Sequence, residues 1–461
     1  MDKKTSTVKT KTSVMASYGS GKFLAEFFVG AFGALVFKFY ETEIGLSAGL
    51  SAVAIILYSI WNAINDPLIG YLTSKPTPFS GKLGRRFPWI LIGSVLWGFS
   101  FVLIFAVPGS LSPETDSLLI FFWMLGSICL FDTFFSLWEV NYQSIFPDKF
   151  REKDERSKAA GISIFIGVFG IALGLLLPGL IIEYGEPSSY LTNGWLFPGL
   201  GLISVTLLIP GVKENKHMIQ RYMSETEKEQ DSFVTQMKEA FKYRNFVAFI
   251  LLYFFYQSGV MSMTGSVHYI GDYVLPGGSN DVTIILAGML AGALLSIPMW
   301  LFIAKRVKGH QNVLIITSLL MAVFSIPMTF VNTYTGFTIM MALWGLGFGG
   351  FWLMMTPAMA DVIDEVVVSK KKRDDGVLLG FRAFFGRLSW GVQASAFWLI
   401  HSVTGFAEDP HSPAALLGIH IHMGLLPAIL ILIGVVIFWK MNTLNAEKME
   451  IIREELEELN L

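Results

Sequence analysis

The chain reads as an all-α polytopic membrane protein with twelve transmembrane helices in two six-helix bundles, and three observations lead there. Of its 461 residues 53% are hydrophobic and only 15% charged, with a mean hydropathy of +0.56. A soluble domain carries about 25% charge. Apolar stretches long enough to cross a bilayer recur twelve times. Finally, 30 of the 34 Lys and Arg residues fall in alternate connections, which is the bias that orients helices with their basic loops inside.

In order, the spans are expected at about 17–42, 47–74, 87–108, 117–147, 159–184, 193–212, 244–271, 281–304, 312–330, 334–366, 376–404 and 414–440. The polar start, with Lys3, Lys4, Lys9 and Lys11, is followed by no short apolar core with a small-residue cleavage site. No removable signal peptide is therefore expected, and the first span does the targeting. Basic residues fill 75–86, 149–158, 213–244, 305–308, 370–373 and 440–461, whereas 109–116 and 407–413 hold none. Both termini are then cytoplasmic and the chain is a multi-pass protein of the plasma membrane. Cys129, the single cysteine, lies in an apolar run, so no intrachain disulfide can form.

The longest polar stretch follows the sixth span and splits the chain into residues 1–212, a cytoplasmic linker 213–243, and 244–461 with an acidic tail. Two such halves are the organisation of major facilitator transporters, whose substrate site lies near the midplane between them. In the linker Met218, Tyr222, Phe233, Met237 and Phe241 alternate with charges, as in a helix lying on the inner membrane surface or a solvated connector. Glu447 to Glu458 reads as an acidic helix, solvated or docked through Ile451, Ile452, Leu456 and Leu459.

Ionisable residues inside spans are costly and mark function. The densest stretch is Trp61-Asn62-Ala63-Ile64-Asn65-Asp66-Pro67-Leu68-Ile69-Gly70. On a helix Asn62 and Asp66 share a face, and Pro67 frees a backbone carbonyl one turn back, so the stretch suits a cation or a proton. A buried Asp that only ties two helices together is the plainer reading. Lys22 and Glu26 are four apart in span 1. Asp132 and Glu139 are two turns apart in span 4 with Trp138 beside them, Arg382 and Arg387 lie in span 11, and His420 and His422 in span 12. Acids in one half and bases in the other fit a water-filled cavity lined by Glu26, Asp66, Glu139 and Arg387; static ion pairs would leave the same pattern.

The run Asn65-Asp66-Pro67-Leu68-Ile69-Gly70, with Gly84-Arg85-Arg86-Phe87-Pro88-Trp89 after it, resembles the glycoside-pentoside-hexuronide:cation symporters, the melibiose permease group of the major facilitator superfamily. Asn141-Tyr142-Gln143-Ser144-Ile145-Phe146-Pro147, Glu155-Arg156 and Ala360-Asp361-Val362-Ile363-Asp364-Glu365 extend the likeness over nearly the whole chain. The resemblance implies cation-coupled symport of a sugar or glycoside by alternating access. Its cation carboxylates on helix 2 fall on Asn62 and Asp66, with Asn65 between; its substrate carboxylates fall on Glu26 and Glu139, and its helix 11 lysine on Arg387. Its sugar-stacking tryptophan is Gln143 here, and its helix 5 arginine falls near Ile164, so a polyol would lose part of its site; Gln143 and Trp138 join Glu26, Glu139 and Arg387 as the expected substrate residues.

One carboxylate suffices for a proton, whereas Na⁺ asks for several hard oxygens and charge compensation, so H⁺ is favoured over Na⁺ as the coupling ion at Asp66. Apart from that site no metal, cofactor or catalytic residue is expected. Arg85, Arg86 and Arg156 facing Asp361, Asp364 and Glu365 would form an inner gate, although the basic residues also serve orientation. The expected partners are a small-molecule substrate, the cation and the lipid bilayer, with no nucleic acid, acting as a monomer. A lysolipid or other amphipathic solute is the alternative substrate, and a non-transporting membrane sensor the alternative class. An enzyme is disfavoured: no Ser/His pair, His-Glu-x-x-His or paired-Asp motif lies in the spans.

Overall fold

The computed structural model describes residues 10–75, 77–150, 153–216, 218–219, 233–307, 309–371 and 375–459. In the first half the helices are α1 (Thr12–Lys38), α2 (Ala48–Ser74), the single turn α3 (Ser80–Leu83), α4 (Phe87–Phe105), α5 (Ser117–Lys149), α6 (Lys153–Ile181) and α7 (Pro187–Val212). After the linker come α8 (Phe233–Ala240), α9 (Arg244–Tyr269), α10 (Ser279–Arg306), α11 (His310–Ser325), α12 (Tyr334–Lys370), α13 (Asp375–Thr404), α14 (Pro413–His420), α15 (Leu426–Met441) and α16 (Ala446–Leu459). Short π-turns extend α1 over Phe39–Glu43 and α9 over Ile270–Val274, and another joins α14 to α15.

Among the described residues eleven of these helices are long and apolar enough to cross a membrane, α14 and α15 counting as one. The one predicted span outside these eleven, the eleventh in chain order, corresponds to α13, 30 residues long and carrying Arg382 and Arg387. A bilayer leaves backbone polar groups no partner but one another, so helices persist through interior prolines such as Pro67, Pro147 and Pro357. Lys3, Lys4, Lys9 and Tyr222 lie outside the described residues. The acidic tail is α16, and it docks: Met449, Ile452 and Leu456 are buried and Lys448 pairs with Glu365 at 2.5 Å, while Ile451 is exposed.

By its contacts the chain forms two units, Met1–Phe32 with Ile60–Glu229, and Gly33–Ser59 with Gln230–Leu461. The core of unit 1 is aromatic. Phe27 stacks on Phe197 at 4.1 Å, and Phe28, Trp97, Phe101 and Phe131 close around them. Gly170 and Gly174 let α6 lie directly on α1, because a Cβ at either would overlap the backbone carbonyl of Phe23 or Phe27. Small residues serve this purpose in membranes, where packing replaces the hydrophobic drive. In unit 2 the glycine-rich stretch of α12 does the same against α10, Gly345 meeting the Met289 carbonyl, and Tyr256 stacks on Phe351.

Candidate functional site

Within unit 1, the part of α2 from Ile60 onward runs side by side with α5 in register, so that a residue on α2 meets the one 70 positions later on α5. Asn62 donates to Asp132, Ser136 donates to Asp66, and Gly70 lies against Val140. The four-residue spacing on each helix makes this a ladder, one rung per turn. Asn65 links the rungs: its amide nitrogen lies 3.1 Å from Asp132 Oδ2, 3.2 Å from the Asp132 carbonyl and 2.9 Å from Ser136 Oγ. Asp132 and Ser136 are fully buried, Asn62 and Asn65 nearly so, and Asp66 partly.

Two carboxylates therefore belong to one polar cluster, one from each helix. With its amide nitrogen committed to Asp132 and Ser136, Asn65 keeps its carbonyl oxygen as an acceptor, buried and with no hydrogen-bond partner among the described residues. Asp66, Asp132, Ser136 and the Asn65 oxygen are hard oxygen donors of the kind an alkali cation takes. The sequence alone points to Asn62, Asn65 and Asp66 here but leaves out Asp132 and Ser136. Their four-residue spacing in span 4 is the available signal; the register of α2 on α5 is not.

The other predicted residues of the first half lie further along the same surfaces. On α5, Asp132, Ser136, Glu139 and Gln143 make one stripe, with Gln143 donating to Glu139 at 2.9 Å. Helix α1 crosses α5 antiparallel, Phe32 packing on Phe131 at one level and Tyr18 stacking on Tyr142 at 4.3 Å at another. That crossing brings Lys22 and Glu139 to one level of unit 1. Lys22 pairs with Glu26 at 2.5 Å, and Gly167 of α6 lies against both stems. Trp138 is 1% exposed and stacked on Trp97 and Tyr142. Gln143 and Ile164 are exposed, and Arg387 is a half-buried residue of α13 in unit 2.

Arg86, Arg156, Asp361 and Glu365 have partners inside their own units. The Arg86 guanidinium donates to Asn141 at 3.0 Å, and Arg156 to the Phe150 and Pro147 carbonyls. The Glu214 carboxylate accepts from the Arg86 and Phe87 backbone N–H groups. In unit 2 Asp361 meets His310 at 2.7 Å, Gln311 at 3.2 Å and Arg453 at 4.0 Å, and Glu365 holds Asn245 and Lys448. Arg85 and Asp364 are half-buried.

Residues 17–443 match the family model described as MFS/sugar transport protein. The sodium-dependent lysophosphatidylcholine symporter 1 of Gallus gallus is 22% identical over 89% of this chain and 82% of its own. The isoprimeverose transporter of Lactiplantibacillus pentosus is 22% identical over 82% of this chain and 77% of its own. In fold, the chain matches a bacterial homolog of the human lysosomal transporter Spinster, in its inward-facing form, with a TM-score of 0.63 at 12% identity, covering 93% and 96% of the two chains. A family match over nearly the full length, on a chain of membrane-crossing helices, places this protein in the MFS/sugar transport family of the major facilitator superfamily.

Proposed function

We propose that the protein is a Na⁺-coupled symporter of an amphiphile with a charged head group, of the lysophospholipid class. The observation that carries this reading is the joint cluster of Asp66 and Asp132 around Asn65 and Ser136. The expectation of a proton rests on Asn62 leaving a single carboxylate. Asp132 supplies the second, which provides the charge compensation that Na⁺ needs. Coupling runs along α5, whose stripe carries Asp132 and Ser136 for the ion and, one to two turns on, Glu139 and Gln143 for the solute.

The head group is read from charge. Lys22 beside Glu26, with Glu139 at the same level, presents both signs, as a zwitterion of phosphate and quaternary amine requires, while Trp138 is stacked away and position 143 carries no ring. Arg387 and the gate residues Arg85, Arg86, Arg156, Asp361, Asp364 and Glu365 keep their proposed roles. We read both termini as cytoplasmic, from the alternation of basic loops, and the protein as a monomer of the plasma membrane. A sugar is the second reading, favoured by the hydroxyl-accepting carboxylates of Glu26 and Glu139 and by the isoprimeverose transporter among the relatives.

Proteoliposome uptake of a lysophospholipid and a glycoside panel, with Na⁺ and pH gradients imposed separately, tests the proposal. Lysophospholipid uptake that follows the Na⁺ gradient and is lost in Asp66→Asn is expected. Uptake driven by a pH gradient at negligible Na⁺ rejects the ion, and glycoside uptake alone rejects the solute.

A further inference from the structure

Helix α13 of unit 2 carries a cation that no carboxylate of the described residues matches. Other cations within the predicted spans are met: Lys22 by Glu26 at 2.5 Å, and Lys38, 1% exposed at the end of α1, by Asp272 at 2.6 Å. Arg382 makes no ion pair among the described residues, and its Nε is buried without a hydrogen-bond partner among them. What it meets is a ring. The guanidinium lies over Tyr253 of α9, 5.6 Å from the centroid.

Local packing fixes this arrangement. Arg382 and Gly386 are one turn apart on α13, and a Cβ at Gly386 would come within 2.9 Å of Tyr253 Cε1 and 3.1 Å of its hydroxyl oxygen. The glycine thus lets the ring lie against the α13 backbone beside the guanidinium. Tyr253 leans on Tyr256 with centroids 6.5 Å apart, and Tyr256 stacks on Phe351 at 3.5 Å. At 1.5 Å per residue Tyr253 lies roughly 14 Å along α9 from Arg244, which is deep in a hydrocarbon core about 30 Å thick. A guanidinium held at that depth is costly. The ring face attracts it but is no acceptor for its in-plane N–H groups.

We propose that Arg382 is the residue that grips the head-group phosphate of the solute, with Tyr253 holding the guanidinium in place. The assignment rests on the lysophospholipid reading above and adds what that reading needs: Lys22 is already engaged by Glu26, so the phosphate requires a cation that is not yet paired. A phosphodiester presents two non-bridging oxygens, and these match the parallel N–H bonds along one edge of a guanidinium, Nε–H among them. Selectivity follows from the same feature. A solute without an anionic group leaves the Arg382 Nε–H as it is here, buried and unmatched, and a site built for a hydrogen-bonding group disfavours the analogue that lacks it. Arg382 is therefore where a lysophospholipid and a neutral glycoside part.

The test is equilibrium binding to the full chain in maltoside micelles, which bring no phosphate of their own, comparing lysophosphatidylcholine with the monoacylglycerol of the same acyl chain. The wild type should prefer the lysolipid. Arg382→Gln should lower lysolipid affinity roughly tenfold to a hundredfold, the worth of a charged hydrogen bond, so that the preference largely disappears, while the Na⁺-dependent rise in unfolding temperature persists. Arg382→Lys, a point charge without the planar fork, should fall between the two. A preference unchanged in Arg382→Gln, or an equal loss for both ligands, overturns the assignment and leaves the lysolipid reading standing. A wild type that binds a glycoside and no lysolipid overturns both together. If Arg382→Gln does not fold, Arg382→Lys decides: a loss confined to the lysolipid supports the assignment, and an unchanged preference overturns it.

Discussion

Asp132→Asn is the most informative substitution at the ion site, because it removes a charge without changing side-chain size. A unit charge about 4 Å from the carboxylate, at an effective dielectric near 20, is worth about 4 kcal/mol. Asn62 and Asn65 already draw on the same carboxylate, so about 2–4 kcal/mol brackets the loss, which is roughly 30- to 700-fold in Na⁺ affinity. The new amide would also turn its hydrogens toward one of the two amide nitrogens, of Asn62 and Asn65, that now donate to separate oxygens of Asp132. Thermal unfolding measured against Na⁺, with a bulky organic cation holding ionic strength constant, reads the affinity without a known substrate. Ligand at 100 times its Kd stabilises by about 2.7 kcal/mol, and the variant should lose most of that response. Adding Asn62→Asp moves the carboxylate back to α2, where the amide introduced on α5 can donate to it, and should restore the response. An unchanged Na⁺ response in Asp132→Asn, or a double variant no better than the single one, would refute the reasoning.

Glu139→Gln should weaken solute binding more than tenfold while leaving the Na⁺-dependent rise in unfolding temperature intact, as equilibrium binding would show. Lys22→Met leaves Glu26 without its cation at 2.5 Å and should impair uptake of a phosphate-bearing lysolipid far more than uptake of a neutral glycoside. Gly170→Ala should cost about 1–3 kcal/mol of stability, the usual penalty of overpacking, because its Cβ would overlap the Phe23 carbonyl. Glu365→Gln weakens a half-exposed ion pair to Lys448, a contribution of at most about 1 kcal/mol. On the stability side it should therefore speed proteolysis of α16 with little change in unfolding temperature.

Class and span pattern were legible along the chain because the bilayer imposes them on composition: each span must be apolar for about 20 residues, and the basic loops must alternate. Asp66 was legible for the same reason, since a carboxylate in a span is too costly to be incidental. The partners of such residues were not. Whether Asn62 stands alone or shares a second carboxylate depends on the 70-residue register between α2 and α5, and no local pattern encodes the offset between two helices. Trp138 looked available beside Glu139, yet the aromatic core of unit 1 buries it against Trp97 and Tyr142. Lys38, Glu41 and Glu43 are singled out by no pattern along the chain; Asp272 and His401, more than 200 residues away, enclose them. The sequence by itself thus determined where charge enters the membrane, because transfer free energy is a property of each residue. The tertiary structure alone decided which charges share a site, because that depends on how helices distant in sequence pack.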